Sequence, residues 1–134
     1  MKMNTRIRYS LRMMVTIAGR KNVINTTEMG ELMLVSPKYL RKLAGPLEKD
    51  GLIRSLQGIH GGYALNRKPE EINLEMILNA LNEKLLITDC LKKNCPLADD
   101  CLTRPIWSAL EKTVQKSFLK ITLAQILNRQ IPEV

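Results

Sequence analysis

Histidine is almost missing from this chain: His60 is the only one in 134 residues. A cysteine nucleophile needs a base within hydrogen-bond reach. His60 sits in a glycine-rich stretch, with no acid–base pair and no phosphate-binding loop beside it, so an enzyme is not expected. Long apolar runs are missing too, and none approaches the roughly 18–20 residues that span a bilayer. The first twelve residues are basic but lack the apolar core and small-residue cleavage site of a secretory signal. A cytoplasmic location and no membrane partner are therefore expected. Cysteine is scarce, and its count of three is odd, which argues against a disulfide framework.

Positive charge is plentiful but confined. Residues 1–69 hold 13 Lys/Arg against 4 Asp/Glu, a net of +9, whereas residues 70–134 hold 8 against 9, a net of −1. A localised basic half is the electrostatic footprint of a nucleic-acid binder, and equally of a solvated basic surface. The apolar share of 45% suffices for an ordinary folded core. The expected division is residues 1–69 as a DNA-binding region and 70–134 as a sensor and dimerisation region.

Hydrophobic periodicity predicts a helix over residues 5–20, with Ile7, Leu11, Met14, Val15 and Ala18 on one stripe and Arg6, Arg8 and Arg12 beside it. A short helix follows over 26–34, with Asn25 as N-cap and Glu28 placed to complete a capping box. Ser36-Pro37 is a strong start signal for a third helix over 37–50, because serine caps the first amides and proline occupies the position where no N–H is needed. Gly45-Pro46 should bend that helix or tighten it locally, since proline removes one backbone bond. Residues 52–56 and 63–65 read as strands. Between them Gly58, Gly61 and Gly62 are available for positive φ. The fold class is mainly α with a small β-hairpin, a winged helix-turn-helix followed by a long C-terminal helix.

In the second half, Leu74 opens a helix with Ile77, Leu78 and Leu81 inward, residues 89–101 read as a loop, and a last helix runs over 104–128. Its Trp107, Leu110, Val114, Phe118 and Ile121 form a stripe suited to a helix–helix contact, within the chain or between subunits.

A helix-turn-helix presents the N-terminal residues of its second helix to the major groove. Here these are Ser36, Lys38, Tyr39, Arg41 and Lys42. Arginine can grip guanine O6 and N7 with two parallel bonds, lysine suits phosphate or guanine, and free amides at a helix start suit phosphate. A narrow wing carrying Arg54, Gln57, His60, Gly61, Gly62 and Tyr63 can approach the sugar–phosphate backbone or the minor groove. With Arg8 these are the candidate contacts to a double-stranded DNA operator. The rival among binding proteins is an adaptor that uses the long helix without DNA.

All three cysteines lie in one twelve-residue window as Cys90-x4-Cys95-x5-Cys101. Thiolates hold iron–sulfur clusters, and Lys92, Lys93 and Arg104 lie near enough in sequence to offset their charge. Zinc and a set of reduced thiols acting as a redox switch are the alternatives. A fourth cluster position would fall to Asp89, Asp99, Asp100, a partner subunit or an exogenous ligand.

Residues 5–12 (TRIRYSLR), 36–43 (SPKYLRKL), 51–53 (GLI), 61–65 (GGYAL) and the cysteine triplet, in this order, resemble the Rrf2 family of bacterial transcriptional regulators over nearly the whole chain. The resemblance implies a homodimer joined largely through the C-terminal helix, a roughly palindromic operator, and an iron–sulfur cluster, [2Fe–2S] or [4Fe–4S], on Cys90, Cys95 and Cys101. The gap between Cys90 and Cys95 is slightly shorter than cluster-binding members commonly show, and three further departures accompany it. Gln57 stands where family members often place an arginine before the wing glycine, and Arg54 is the residue near enough to compensate. Arg41 stands where the family's iron–sulfur regulator has an acidic base-reading residue. Arg104 stands at the position of that regulator's histidine ligand.

Overall fold

The computed structural model describes residues 2–92 and 94–133. The chain opens with helix α1 (Thr5–Ala18), started by Asn4, whose side chain accepts from the Ile7 amide at 2.8 Å. Its buried side is Ile7, Ser10, Met13, Met14 and Ile17. Leu11, Val15 and Ala18 lie only partly buried at the edge of the core, so the inward face is turned from the stripe expected. The reason is packing. α1 is packed against the rest of the chain on several sides, and a helix wrapped in this way buries more than one narrow stripe.

α2 (Thr26–Met33) begins at Asn25, which accepts from the Glu28 amide at 2.8 Å, as expected of an N-cap. The reciprocal half of the capping box is not made, because the Glu28 carboxylate takes the Arg20 guanidinium at 2.5 Å instead. α2 ends at Leu34 in the left-handed conformation (φ 56°, ψ 46°), and this residue starts the tight turn into α3. The turn is close-packed: a Cβ on Gly30 would stand 2.7 Å from the Val35 carbonyl oxygen.

α3 (Pro37–Lys49) starts as expected, with Ser36 Oγ accepting from the Tyr39 amide at 3.2 Å and Pro37 in the first turn. Leu40, Leu43, Ala44 and Leu47 are buried, and the helix continues through Pro46 to Lys49. The carbonyl that Pro46 leaves without a donor belongs to exposed Lys42, where water can serve it.

β1 (Ile53–Leu56) and β2 (Gly62–Leu65) form an antiparallel hairpin, pairing Ile53 with Leu65, Arg54 with Ala64, Ser55 with Tyr63 and Leu56 with Gly62. An isolated bridge from Ile24 to Tyr63 lays the segment before α2 along the hairpin. At the tip, Gly58 (φ 102°) and Gly62 (φ 148°) use positive φ. Gly61 is required for a different reason, since a Cβ there would lie 2.3 Å from the Leu56 carbonyl oxygen.

A 3₁₀ turn (Pro69–Glu71) leads to α4 (Leu74–Ala80), capped by Asn73 and burying Ile77 and Leu78. After a 3₁₀ turn at Asp89–Leu91 comes α5 (Arg104–Lys120), then α6 (Leu123–Leu127). The single last helix expected over 104–128 is therefore two. Thr122 caps α6, with Gln125 completing the capping box. Backbone bonds from the Leu123 amide to the Ile72 carbonyl (2.9 Å) and from the Leu74 amide to the Ile121 carbonyl (3.0 Å) hold the break. The core is one cluster running from Ile7 through Leu52 and Ile53 to Ile72, Leu81 and Leu123. Among the described residues, no helix is long and apolar enough to cross a membrane.

Candidate nucleic-acid interface and cysteine loop

Lys38, Arg41 and Lys42 share one exposed face at the start of α3. Ser36 is exposed beside them, its oxygen engaged by the Tyr39 amide. Tyr39 is half-buried. Its ring meets Tyr9 of α1 edge to face, with centroids 6.0 Å apart and planes at 86°, and the Arg12 guanidinium lies 5.6 Å from the Tyr9 ring centroid. Such contacts are each worth roughly 0.5–1.5 kcal/mol. Tyr9, backed by Arg12, thus seats the start of α3 on α1, and sequence reasoning missed this because the two rings are thirty residues apart. Arg8, four residues before Arg12, is exposed on the same side of α1. Arg6 instead donates to the Leu81 carbonyl at 2.8 Å and approaches Glu83 at 3.4 Å, which makes it a tie between α1 and the end of α4.

The hairpin stands beside α3 and closes one side of an open groove of about 670 Å³. Arg41, Gln57, Gly58, Gly62 and Tyr63 line it, together with Glu28 and Glu31 of α2. Glu28 is neutralised by Arg20. Glu31 can accept from a base amino group, as carboxylates do from cytosine, and nothing in its local sequence singles it out. The Tyr63 phenol is pushed up from its ordinary pKa, first by burial and then by the Glu48 carboxylate, against the opposing charge of Arg41. It therefore remains a neutral hydrogen-bond donor. Glu48 also accepts from the Ser55 hydroxyl at 2.5 Å, which ties the hairpin to the end of α3.

Arg54 and His60 lie elsewhere. They line a separate groove of about 480 Å³ on the other flank of the hairpin, with Lys21 and Asn22. Alternation along a strand explains this, because Ser55 and Arg54 must point to opposite faces. Gly61 lines both grooves, as does Ile59 at the tip, which is 97% exposed. The wing contacts expected from sequence are thus distributed over two flanks.

The cysteine loop hangs between α4 and α5. Thr88 caps the turn that holds Cys90, accepting from its amide at 3.2 Å. Asp89 pairs with Lys92 at 2.6 Å, and that pair holds the carboxyl below the usual carboxylate range. Arg104 donates to the Cys90 carbonyl at 3.0 Å, which clamps the loop to the first turn of α5. Cys101 Sγ lies 3.3 Å from the Thr103 hydroxyl. That bond, with amides of Thr103 and Arg104, lowers the Cys101 thiol below its ordinary pKa. All three cysteines are free thiols, with Cys90 exposed and Cys95 and Cys101 half-exposed. Among the described residues no three His, Cys, Asp or Glu side chains are grouped to hold a metal ion. Lys93 lies outside the described residues.

Known proteins resemble this chain in sequence and in fold. The chain is 37% identical over 131 residues to protein rrf2 of Nitratidesulfovibrio vulgaris, covering 95% of this chain and 87% of that protein. It is 30% identical over 133 residues to the HTH-type transcriptional regulator IscR of Serratia proteamaculans, covering 97% and 81%. The global cysteine regulator CymR of B. subtilis has the same fold, with a TM-score of 0.81 at 24% identity over 96% of this chain and 98% of that one. The Rrf2 family, described as iron-dependent transcriptional regulators, matches residues 3–129. Helix α3 seated on α1, a hairpin beside it and that match together make the chain a member of the Rrf2 family of transcriptional regulators, not an enzyme.

Proposed function

We propose that this regulator binds a palindromic DNA operator as a cytoplasmic homodimer, and that an iron–sulfur cluster on Cys90, Cys95 and Cys101 sets its affinity. Residues 1–69 supply the DNA contacts: Arg8, Ser36, Lys38, Tyr39, Arg41 and Lys42 on the helices, and Arg54, Gln57, His60, Gly61, Gly62 and Tyr63 on the wing. Residues 70–134 supply the cluster loop and the dimer contact. The donor set fits a cluster chemically, being three thiols on one exposed loop with no disulfide among them. When bound, the cluster would supply a redox- and oxygen-sensitive iron centre, [2Fe–2S] or [4Fe–4S]. Arg104 cannot complete its coordination, so the fourth ligand comes from an aspartate, the partner subunit or a small molecule.

The observation that carries the reading is the clamp of Arg104 on the Cys90 carbonyl. It ties the loop to α5, and α5 packs on α4, which in turn meets α1 and α3. A rearranged loop therefore has a contiguous packed route to the reading helix. Anaerobic purification with visible absorption and iron and sulfide analysis tests it. A brown protein containing iron and sulfide is expected, and Cys90→Ser, Cys95→Ser and Cys101→Ser should each bleach it. A colourless, iron-free protein with zinc bound would sink the cluster.

The exposure of the thiols favours a second reading, a thiol redox switch without a cluster. Iron-free protein would then change its operator affinity on treatment with peroxide and recover it with dithiothreitol.

A further inference from the structure

We propose that the flank of the wing turned away from α3 is a second DNA-contact surface, one that holds backbone phosphates outside the operator half-site. The proposal rests on the DNA-binding reading above and extends its footprint. Arg54 projects from the hairpin face opposite to Ser55 and Tyr63. The Ile24–Tyr63 bridge, with bonds of 3.0 and 2.9 Å, draws Lys21 up beside it. Arg54 lies between two adjoining hollows: one of about 480 Å³ that includes Lys21 and His60, and one of about 410 Å³ that includes Arg67 and Lys68. Lys21, Arg54, Arg67 and Lys68 are all exposed, and none is in an ion pair among the described residues. The acid in this strip, Glu71, accepts from the Lys68 backbone amide at 3.1 Å.

Unpaired like charges held along one concave face repel each other, and an ordered row of anions relieves that repulsion. Duplex DNA presents such a row. The strip also begins where the reading surface ends, because Ile59 and Gly61 line both the groove beside α3 and the hollow beside Arg54. A wing tip set at a groove edge would thus put phosphates of the outlying backbone within reach of this flank.

Duplex length provides the test. A duplex is selected from a random-sequence library by the full chain. It is then synthesised with blunt ends at the selected site and with both ends extended by roughly one helical turn, about 10 bp. Binding is measured across salt for the wild type and for the variant Lys21→Ala, Arg67→Ala, Lys68→Ala, which leaves the proposed operator contact Arg54 in place. A control carries Lys84→Ala, Lys112→Ala and Lys116→Ala, which lowers net charge equally on other surfaces. The wild type and the control should bind the extended duplex about tenfold or more tighter, with a salt slope steeper by about 2–3, near 0.9 per phosphate. The wing-flank variant should lose that gain while keeping its preference for the selected site over a scrambled duplex of equal length. Wild-type binding that ignores the extension, or a wing-flank variant that keeps the gain, overturns the proposal and leaves the strip to an acidic protein partner. Equal loss in the control also overturns it, since bulk charge would then suffice. Failure to select any duplex overturns the DNA-binding reading itself.

Discussion

Leu34 occupies a backbone region that suits glycine, with φ 56° and ψ 46°, while its side chain is 90% exposed. It loses conformational energy there and gains almost no burial. Leu34→Gly should therefore stabilise the fold by about 0.5–1 kcal/mol, seen as a higher urea midpoint at unchanged slope. Ser10 is the converse case. It is fully buried in α1, and its hydroxyl has no partner among the described residues. Removing an unsatisfied buried group and gaining helix propensity should make Ser10→Ala about 1 kcal/mol more stable, measured the same way. Neither residue stands out in sequence. A leucine beside apolar neighbours reads as core, and a serine between Tyr9 and Leu11 reads as surface. Only the course of the chain around each decides otherwise.

Elements were legible where their signals are local. Ser36-Pro37 starts α3 and Asn25 starts α2 because capping uses side chains within three residues of the amide they serve. The division of the last helix was not legible, because its cause lies across the molecule in the pairing of Thr122 with Asn73. The wing depends on backbone crowding. A Cβ on Gly62 would meet the Ile24 carbonyl oxygen at 2.1 Å at a φ of 148°. Gly62→Ala should cost roughly 1–3 kcal/mol in backbone strain alone and loosen the hairpin, which amide exchange at Tyr63 would register. On α5, Val114 and Phe118 pack toward the core, whereas Ile106 and Leu110 remain 55% and 47% exposed. The apolar stripe read along this helix is thus divided between the chain's own core and an open face. If that face joins two subunits, Ile106→Asp with Leu110→Asp should yield monomers in sedimentation velocity. It should also weaken operator binding by tenfold or more, with little change in helix content.

Over the whole molecule, the basic half and the cysteine half share one core. Ile72 and Leu123 are fully buried in the same cluster as Met13, Leu40 and Leu47. Leu123→Ala should lose about 2–5 kcal/mol and lower both halves together. Fluorescence of Trp107, the only tryptophan, and far-ultraviolet circular dichroism should then report coincident transitions at fixed protein concentration. Separate midpoints would show that the halves unfold independently.

Charge asymmetry, helix starts, the glycine-tipped hairpin and the cysteine spacing are properties of composition and of neighbours within a few residues, so the residues alone declare them. They were enough to indicate a winged helix-turn-helix with a thiol-rich loop. Which cations stand beside Arg41 and which behind the wing depends on strand alternation together with the Ile24–Tyr63 bridge. What Arg104 does in place of a histidine depends on a contact reaching fourteen residues back to the Cys90 carbonyl. Contacts of that range leave no periodic trace in a sequence, and it is the folded chain that assigns them.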